Sequence, residues 1–220
     1  GLPLLIATPA LAQQEDSQIW LQNEAQVPLD DNLRLTLEGI ARFSDRLGGL
    51  FHTEIGGIVS TKIADNVELG FGYRHVGSHG GNSADDEDRL RQHVVVTFGR
   101  LTTRLRVDER FHPDGDEIGF RIRPLVRYNH PLGDKGFALF ATHESFFMAN
   151  TTRWGQRAGY DRMRNTAGVT IPIAKGMSGD LGYLNQYRFA RNGGRAQMDH
   201  ALSFQLTFAI GVGKPKAEEE

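Results

Sequence analysis

Apolar and polar side chains alternate at every second position along almost the whole chain, and this pattern constrains the fold more than any other feature. In the stretch "LTTRLRVDERF" (101–111), arginine and aspartate at 104, 106, 108 and 110 alternate with leucine and valine at 105 and 107. Successive side chains of a strand point to opposite faces, so the alternation predicts amphipathic strands. No segment has a convincing helical period, and we therefore predict an all-β fold.

The turn residues divide this pattern into about eleven strands. We predict them near 17–27, 33–43, 50–63, 67–76, 90–98, 101–111, 118–130, 137–148, 162–173, 177–189 and 200–212. Short connections alternate with longer polar ones at 77–89, 149–161 and 190–199. Tight turns at one end and long loops at the other are typical of an up-and-down antiparallel barrel.

The odd number of strands conflicts with the even number that bacterial single-chain barrels normally have. The turn pattern makes the first and the last strand run in the same direction. Three explanations stay open: segment 17–27 is not a wall strand, one long element contains two strands, or the barrel closes in an unusual way. We therefore predict a barrel of about ten to twelve strands.

Composition limits the other possibilities. The chain has 220 residues, a formal net charge of −2 and no cysteine, and it has no basic block for nucleic acid. Its first residues, "GLPLLIATPALA" (1–12), are apolar and end in an Ala-x-Ala triplet, so we interpret them as a truncated signal peptide. We assign 13–212 to one barrel domain and 213–220, "GKPKAEEE", to a polar tail.

Export, together with strands of about ten residues or more, favours a transmembrane barrel whose apolar face meets lipid. We expect aromatic residues near the strand ends to form an interfacial girdle, namely Phe43, Phe51, Phe98, Phe111 and Tyr128. In segment 101–111, Leu105, Val107 and Phe111 should then face lipid. The predicted lumen-lining residues are Arg34, Glu38, Arg42, Glu54, Glu68, Arg74, Arg91, Arg104, Arg106, Asp108, Arg110, Arg121, Arg123, Arg127, Glu144 and Arg188.

Two interpretations of this charged lumen stay open. Salt bridges could fill a narrow barrel and stiffen it, or an arginine-rich pore could favour small anions electrostatically. Barrels of this size leave little free lumen, which favours a filled interior or a small solute.

A different activity is suggested by "THESFF" (142–147), in which His143 and Ser145 share a strand face and could form a nucleophile–base pair. Glu144 points the wrong way to orient that histidine, so the third residue of a triad is missing. The acidic run 85–88 is interpreted as part of a solvated, mobile surface loop. The dispersed histidines show no metal-binding spacing, and no metal or cofactor is predicted.

Several segments resemble the family called domain of unknown function 2490, which comprises predicted bacterial outer-membrane β-barrel proteins. They are "WLQNEAQVPLDDNLRLTLEGIARFSD" (20–45), "LGFGYRHV" (69–76), "RLRVDERF" (104–111), "FRIRPLVRYNHPL" (120–132), "RNTAGVTIPI" (164–173) and "LGYLNQYRF" (181–189). The resemblance covers nearly all of the chain after the predicted signal peptide. It implies a Gram-negative outer-membrane location and brings no established activity.

The sequence therefore predicts an outer-membrane β-barrel protein, either structural or narrow and porin-like, with an arginine-rich lumen that favours small anions. Its expected partners are outer-membrane lipid, small anionic solutes and the outer-membrane assembly machinery, and not nucleic acid. The alternatives are an outer-membrane lipid-modifying hydrolase that uses His143 and Ser145, and a soluble periplasmic barrel that binds a small apolar ligand.

Overall fold

The structure is a computed structural model, which describes residues 13–191 and 194–211. The predicted signal peptide (1–12) and polar tail (213–220) lie outside the described residues. The described chain is all-β, as predicted. Its strands are β1 (Gln14–Pro28), β2 (Leu33–Ser44), β3 (Gly49–Ala64), β4 (Val67–Ser78), β5 (Glu87–Phe98), β6 (Leu101–His112), β7 (Gly115–Pro131), β8 (Ala138–Met148), β9 (Gly159–Ala174), β10 (Met177–Arg188) and β11 (Gln197–Ala209). The described residues contain no helix that is long and apolar enough to cross a membrane.

The eleven strands form one closed barrel. Each strand pairs with the next in an antiparallel ladder, and β1 closes the barrel by pairing in parallel with β11, from Gln14 opposite Gln197 to Gln26 opposite Ala209. The unusual closure is therefore the correct one of the three explanations for the odd strand count. Since β1 and β11 run in the same direction, only a parallel ladder can join them.

Short turns lie together at one end of the barrel, which we call the turn end, and include 65–66, 99–100 and 175–176. The longer connections 79–86 and 149–158 lie at the opposite end, which we call the loop end. Not every connection at the loop end is long, because only residues 113–114 join β6 to β7. The first described strand begins at the loop end.

Polar and apolar side chains are distributed in the reverse of the usual order for a soluble protein. Large apolar side chains cover the outer face, where Ile55 is 69% exposed, Phe98 is 60% exposed and Phe71 is 56% exposed. Charged side chains fill the interior, where Arg91 is 1% exposed and Asp108 is fully buried. The barrel is therefore apolar outside and charged inside.

A register shift changes the side to which one predicted girdle residue points. Arg42 of β2 pairs with His52, while the next residue, Phe43, pairs with Leu50, so Phe51 is an extra residue in β3. Such a bulge reverses the alternation locally. Phe51 is buried and lines the interior cavity, and its assignment to the outer girdle was therefore wrong.

Candidate functional site

The barrel interior is the main candidate site, because all sixteen predicted lumen residues point into it. A cavity of about 590 Å³ remains among them. Twelve of the sixteen line this cavity: Glu38, Arg42, Glu54, Arg74, Arg104, Arg106, Arg110, Arg121, Arg123, Arg127, Glu144 and Arg188. The other four, Arg34, Glu68, Arg91 and Asp108, form ion pairs within the interior wall.

Arg74 joins the charged residues of β2, β3 and β5 into one network. Its guanidinium donates to Glu38 at 2.7 Å and also to Glu54. Arg42 donates to Glu54 at 2.8 Å, and Arg91 donates to Glu38. Each carboxylate thus accepts from two arginines. In the low dielectric of the interior, such shared pairs are strongly coupled to one another.

A second network connects β6, β7, β8 and β9. Asp108 accepts from Arg121 at 2.6 Å and from Arg123 at 3.3 Å. Glu144 accepts from Arg123 at 2.9 Å, from Arg104 at 2.7 Å and from Arg164 at 3.4 Å. The carboxylates therefore separate arginines that would otherwise repel each other across neighbouring strands.

The prediction missed some interior residues. Glu87 was assigned to the solvated acidic loop, yet it is 6% exposed and pairs with Arg89 and Arg110, so that assignment was wrong. The reason is that β5 begins at residue 87, before its apolar alternation becomes visible. Asp199 was missed for the same reason, because β11 begins at Gln197 and not at residue 200. Three further residues could have been identified from their alternating positions within predicted strands, namely Arg162, Arg164 and Asp180.

Aromatic rings inside the barrel cover several of the guanidinium groups. The guanidinium carbon of Arg123 lies 4.6 Å from the centre of the Phe146 ring, and that of Arg164 lies 5.0 Å from it. The Trp20 ring lies between Arg42, at 4.1 Å, and Arg164, at 4.6 Å. Cation–π attraction therefore compensates part of the arginine desolvation.

Residues 149–158, which we call the inward loop, place the side chains of Trp154 and Gln156 against the wall at the loop end of the barrel. Trp154 donates to the carbonyl oxygen of Glu117 at 2.7 Å, and the Gln156 side chain accepts from Arg110 at 2.8 Å. These side chains pack over Gly119, where an added Cβ would lie 2.6 Å from both Trp154 and Gln156. Glycine at position 119 therefore leaves the space that the Trp154 and Gln156 side chains occupy at the loop end of the barrel.

His143 and Ser145 form a second candidate site on the outer face of β8. The Nε2 atom of His143 lies 3.0 Å from the Ser145 hydroxyl, and its Nδ1 atom lies 2.7 Å from the side-chain oxygen of Asn165. Tyr160 approaches the same serine hydroxyl at 3.0 Å. Asn165 was not predicted as the third residue, because nothing in one sequence indicates that β9 brings it beside His143.

The acidic residues of the run 85–88 form hydrogen bonds with different parts of the barrel. Asp86 accepts from the backbone N–H of Ser78, and Asp88 accepts from the Tyr73 hydroxyl. Ligand atoms of Asp85, His112 and Asp114 lie within 4.8 Å of one another, but exposed acidic groups commonly meet in this way and we assign no metal to them.

Comparisons with known proteins identify the family of this chain and name no activity. An uncharacterised protein from Methylorubrum extorquens is 31% identical over 213 residues, covering 92% of each chain. A solved structure, from work on in-meso crystallisation of membrane proteins, is 12% identical and has a TM-score of 0.42. The match covers 83% of this chain and 79% of that chain, and we base no conclusion on so weak a likeness. The model of the DUF2490 family, described as proteins of unknown function, matches residues 17–199, and the chain belongs to that family.

Proposed function

We propose that this protein is a β-barrel of the Gram-negative outer membrane, with a narrow charged interior that favours small anions. One observation carries the proposal, namely the apolar outer face around a charged interior. Burying such apolar side chains in lipid removes them from water, at about 25 cal/mol per Å². In water, the same face would be a very large exposed apolar patch, of a size that soluble monomers rarely carry.

The interior supports a narrow passage rather than a wide pore. The two ion-pair networks extend across the interior, Gln156 of the inward loop contacts Arg110 at the loop end, and a cavity of about 590 Å³ remains between them. Arginines outnumber carboxylates among the residues that line this cavity, so its electrostatic potential should attract anions. Outer-membrane lipid and the outer-membrane assembly machinery are the partners that such a barrel requires.

A soluble periplasmic barrel for an apolar ligand fits these side chains poorly. Such a barrel needs an apolar interior and a polar outer face. Here Arg74, Arg91 and Asp108 occupy the interior, and Ile55 and Phe71 are exposed. Solubility of the purified barrel without detergent would nevertheless favour this alternative.

The proposal is tested by fractionating cells and by recording from purified protein in planar bilayers. We expect the protein in the outer-membrane fraction, with gel mobility that changes on heating, and small conductance steps whose reversal potential in a salt gradient indicates anion preference. Outer-membrane location without conductance would leave a structural barrel and reject the passage. Recovery of the protein in the soluble fraction would reject both the outer-membrane barrel and the anion passage.

A second candidate function, a lipid-modifying hydrolase, is favoured by Asn165. When Nδ1 of His143 donates to the Asn165 oxygen, Nε2 is free to accept the Ser145 proton, which is the arrangement of a nucleophile–base–orienter triad. The site lies on the outer face, toward the loop end of the barrel. Its substrate would therefore be the acyl ester of a membrane lipid.

The reaction would proceed in two balanced steps. The Ser145 oxygen would attack the ester carbonyl while its proton passes to Nε2 of His143, and the alcohol would leave with that proton. Water would then attack the acyl-serine, and the fatty acid would leave as Ser145 recovers its proton. The Tyr160 hydroxyl, 3.0 Å from the serine oxygen, is the group placed to donate toward the developing oxyanion.

Fatty-acid release from phospholipid and from lipopolysaccharide tests this second candidate. We expect Ser145→Ala to abolish release and Asn165→Ala to lower it, whereas Ser203→Ala, which changes an interior serine, should leave it unchanged. No release by the unaltered protein, or release that survives Ser145→Ala, would reject the hydrolase.

A further inference from the structure

Arg106 differs from every other arginine of the barrel interior. It lies in the middle of β6 and is 6% exposed. Within residues 13–191 and 194–211, each of the other arginines that point inward from a strand has a carboxylate within salt-bridge distance, and Arg106 has none. Arg46 also lines the cavity without such a partner, but it is exposed in the turn between β2 and β3. Its Nε atom is buried without a hydrogen-bond partner. A buried charge without a counter-ion is unfavourable, so the site calls for an anion.

The neighbours of Arg106 leave it unpaired. On β7, the directly opposite residue is Arg123, which donates to Glu144 and Asp108. On its own strand, Arg104 donates to Glu144. Asp108 accepts from Arg121 and Arg123 through one oxygen, while its other oxygen is buried without a partner. The nearby carboxylates are thus engaged by other arginines.

The residue on the other side of Arg106 is not a carboxylate either. His93 of β5 lies directly opposite Arg106 of β6. Both ring nitrogens of His93 are buried without a hydrogen-bond partner, and its Nε2 atom is directed toward β4, where Glu68 is 3.9 Å away and a Cβ on Gly70 would collide with the ring. His93 therefore provides no counter-charge for the guanidinium.

The guanidinium is accessible from the interior space. Arg106 lines the 590 Å³ cavity, together with Arg104 and Arg123. Glu24 lines the same cavity, accepts from Gln22 at 2.6 Å, and has no arginine within salt-bridge distance among the described residues. An anion that reaches Arg106 from the cavity would thus meet positive charge from Arg104 and Arg123, and Glu24 would oppose it as a carboxylate that no arginine neutralises.

We propose that Arg106 is the central contact of a binding site for a small oxyanion, of the phosphate, sulfate or carboxylate class. The planar guanidinium can donate two parallel hydrogen bonds to such a group. Arg104 and Arg123 add positive potential from either side. The proposal deepens the anion-favouring interior proposed above and rests on it.

Calorimetric titration of the purified protein in detergent micelles with inorganic phosphate tests the site. We expect saturable binding of one phosphate per barrel, weakened about tenfold or more by Arg106→Gln. Arg34→Gln is the matched control, because it removes an arginine that pairs with Glu68 near the turn end and does not line the cavity. We expect the control to keep near-normal affinity, and Glu24→Gln to bind phosphate at least as tightly as the unaltered protein.

Unfolding by urea separates a binding defect from a folding defect. Because Arg106 has no partner to lose, Arg106→Gln should be at least as stable as the unaltered protein in phosphate-free buffer. Phosphate should stabilise the unaltered protein and Arg34→Gln, and leave the stability of Arg106→Gln unchanged.

Two results would overturn the site: no saturable phosphate binding up to about 10 mM, or equal affinity in Arg106→Gln and the unaltered protein. Both measurements are made in micelles and need neither membrane location nor conduction. Arg106-dependent binding by a barrel that conducts nothing would therefore reject the proposed passage alone. Conduction without phosphate binding would reject the site alone.

Discussion

Glu144 accepts from more arginines than any other carboxylate in the part of the chain that the structure describes. It is 4% exposed and accepts from arginines on three different strands, Arg104, Arg123 and Arg164. A buried carboxylate in this position keeps like charges apart, so its removal affects more than a single ion pair.

We expect Glu144→Gln to lower the free energy of unfolding by about 3–5 kcal/mol, because it leaves buried arginines without their counter-ion. Urea unfolding in micelles measures the change. Glu68→Gln is the control, because the side chains of Glu68 and its partner Arg34 are 18% and 35% exposed. Water can therefore replace the contact that the control loses. Equal losses in the two variants would contradict the argument.

At the scale of single residues, alternation predicted which way a side chain points but not what it touches. It placed Arg106 on the interior face, yet its lack of a carboxylate depends on how β5, β7 and β8 arrange their own charges. It also paired His143 with Ser145 within one strand, but Asn165 required the register between β8 and β9. Phe51 was misplaced because a bulge reverses the alternation without leaving a signal in the sequence.

At the scale of strands, the sequence predicted the number and approximate bounds of the elements. The connection lengths even implied that the first and the last strand run in the same direction. The sequence did not predict how the barrel closes, because the β1–β11 ladder joins residues more than 180 positions apart. No turn connects these two strands to fix their register, so the seam is stabilised by backbone hydrogen bonds and packing alone.

Cross-linking tests the seam directly, since the chain has no cysteine of its own. Asn23 and Leu206 lie opposite each other on the outer face, so cysteines at both positions should form a disulfide on mild oxidation. Cysteines at Asn23 and Leu202 should not, because four residues along a strand separate them by about 13 Å. The mobility of each double-cysteine variant on gels, compared between the oxidised and the reduced sample, shows whether the disulfide has formed. Cross-linking of the second pair alone would show a different register.

The inward loop depends on one glycine of the wall. We expect Gly119→Val to push Trp154 and Gln156 out of the mouth, since there is no space for a side chain beneath them. Trypsin should then cleave after Arg153 and Arg157 faster in Gly119→Val than in the unaltered protein, which limited digestion measures. Gly39→Val is the control, because a Cβ at Gly39 meets nothing within 4 Å. Unchanged digestion of Gly119→Val would mean that the loop does not depend on this contact.

At the scale of the whole molecule, the reversed distribution of polarity predicts where a new charge is tolerated. Ile55 is 69% exposed near the middle of β3, so Ile55→Arg would cost nothing if water surrounded the barrel. In the proposed bilayer, the same change should lower the free energy of unfolding by about 2–4 kcal/mol. Reversible unfolding in lipid vesicles measures it.

The matched variant is Glu109→Arg, on the same outer face but near the loop end of β6, where Glu109 accepts from Gln92 at 3.0 Å. We expect a smaller loss there, because the cost of a charge decreases toward the membrane surface. If Ile55→Arg is as stable as the unaltered protein, the outer face does not lie in lipid.

The parallel seam also determines the sidedness of the whole barrel. An even-numbered meander brings its last strand back to the rim from which the first one started. With eleven strands the polypeptide enters the wall at one rim, at Gln14, and leaves it at the other, at Ala209. In the proposed membrane, short epitopes inserted beside these two residues would therefore lie on opposite sides. An antibody added to intact cells should then bind only one of the two epitopes, which gives the orientation of the barrel.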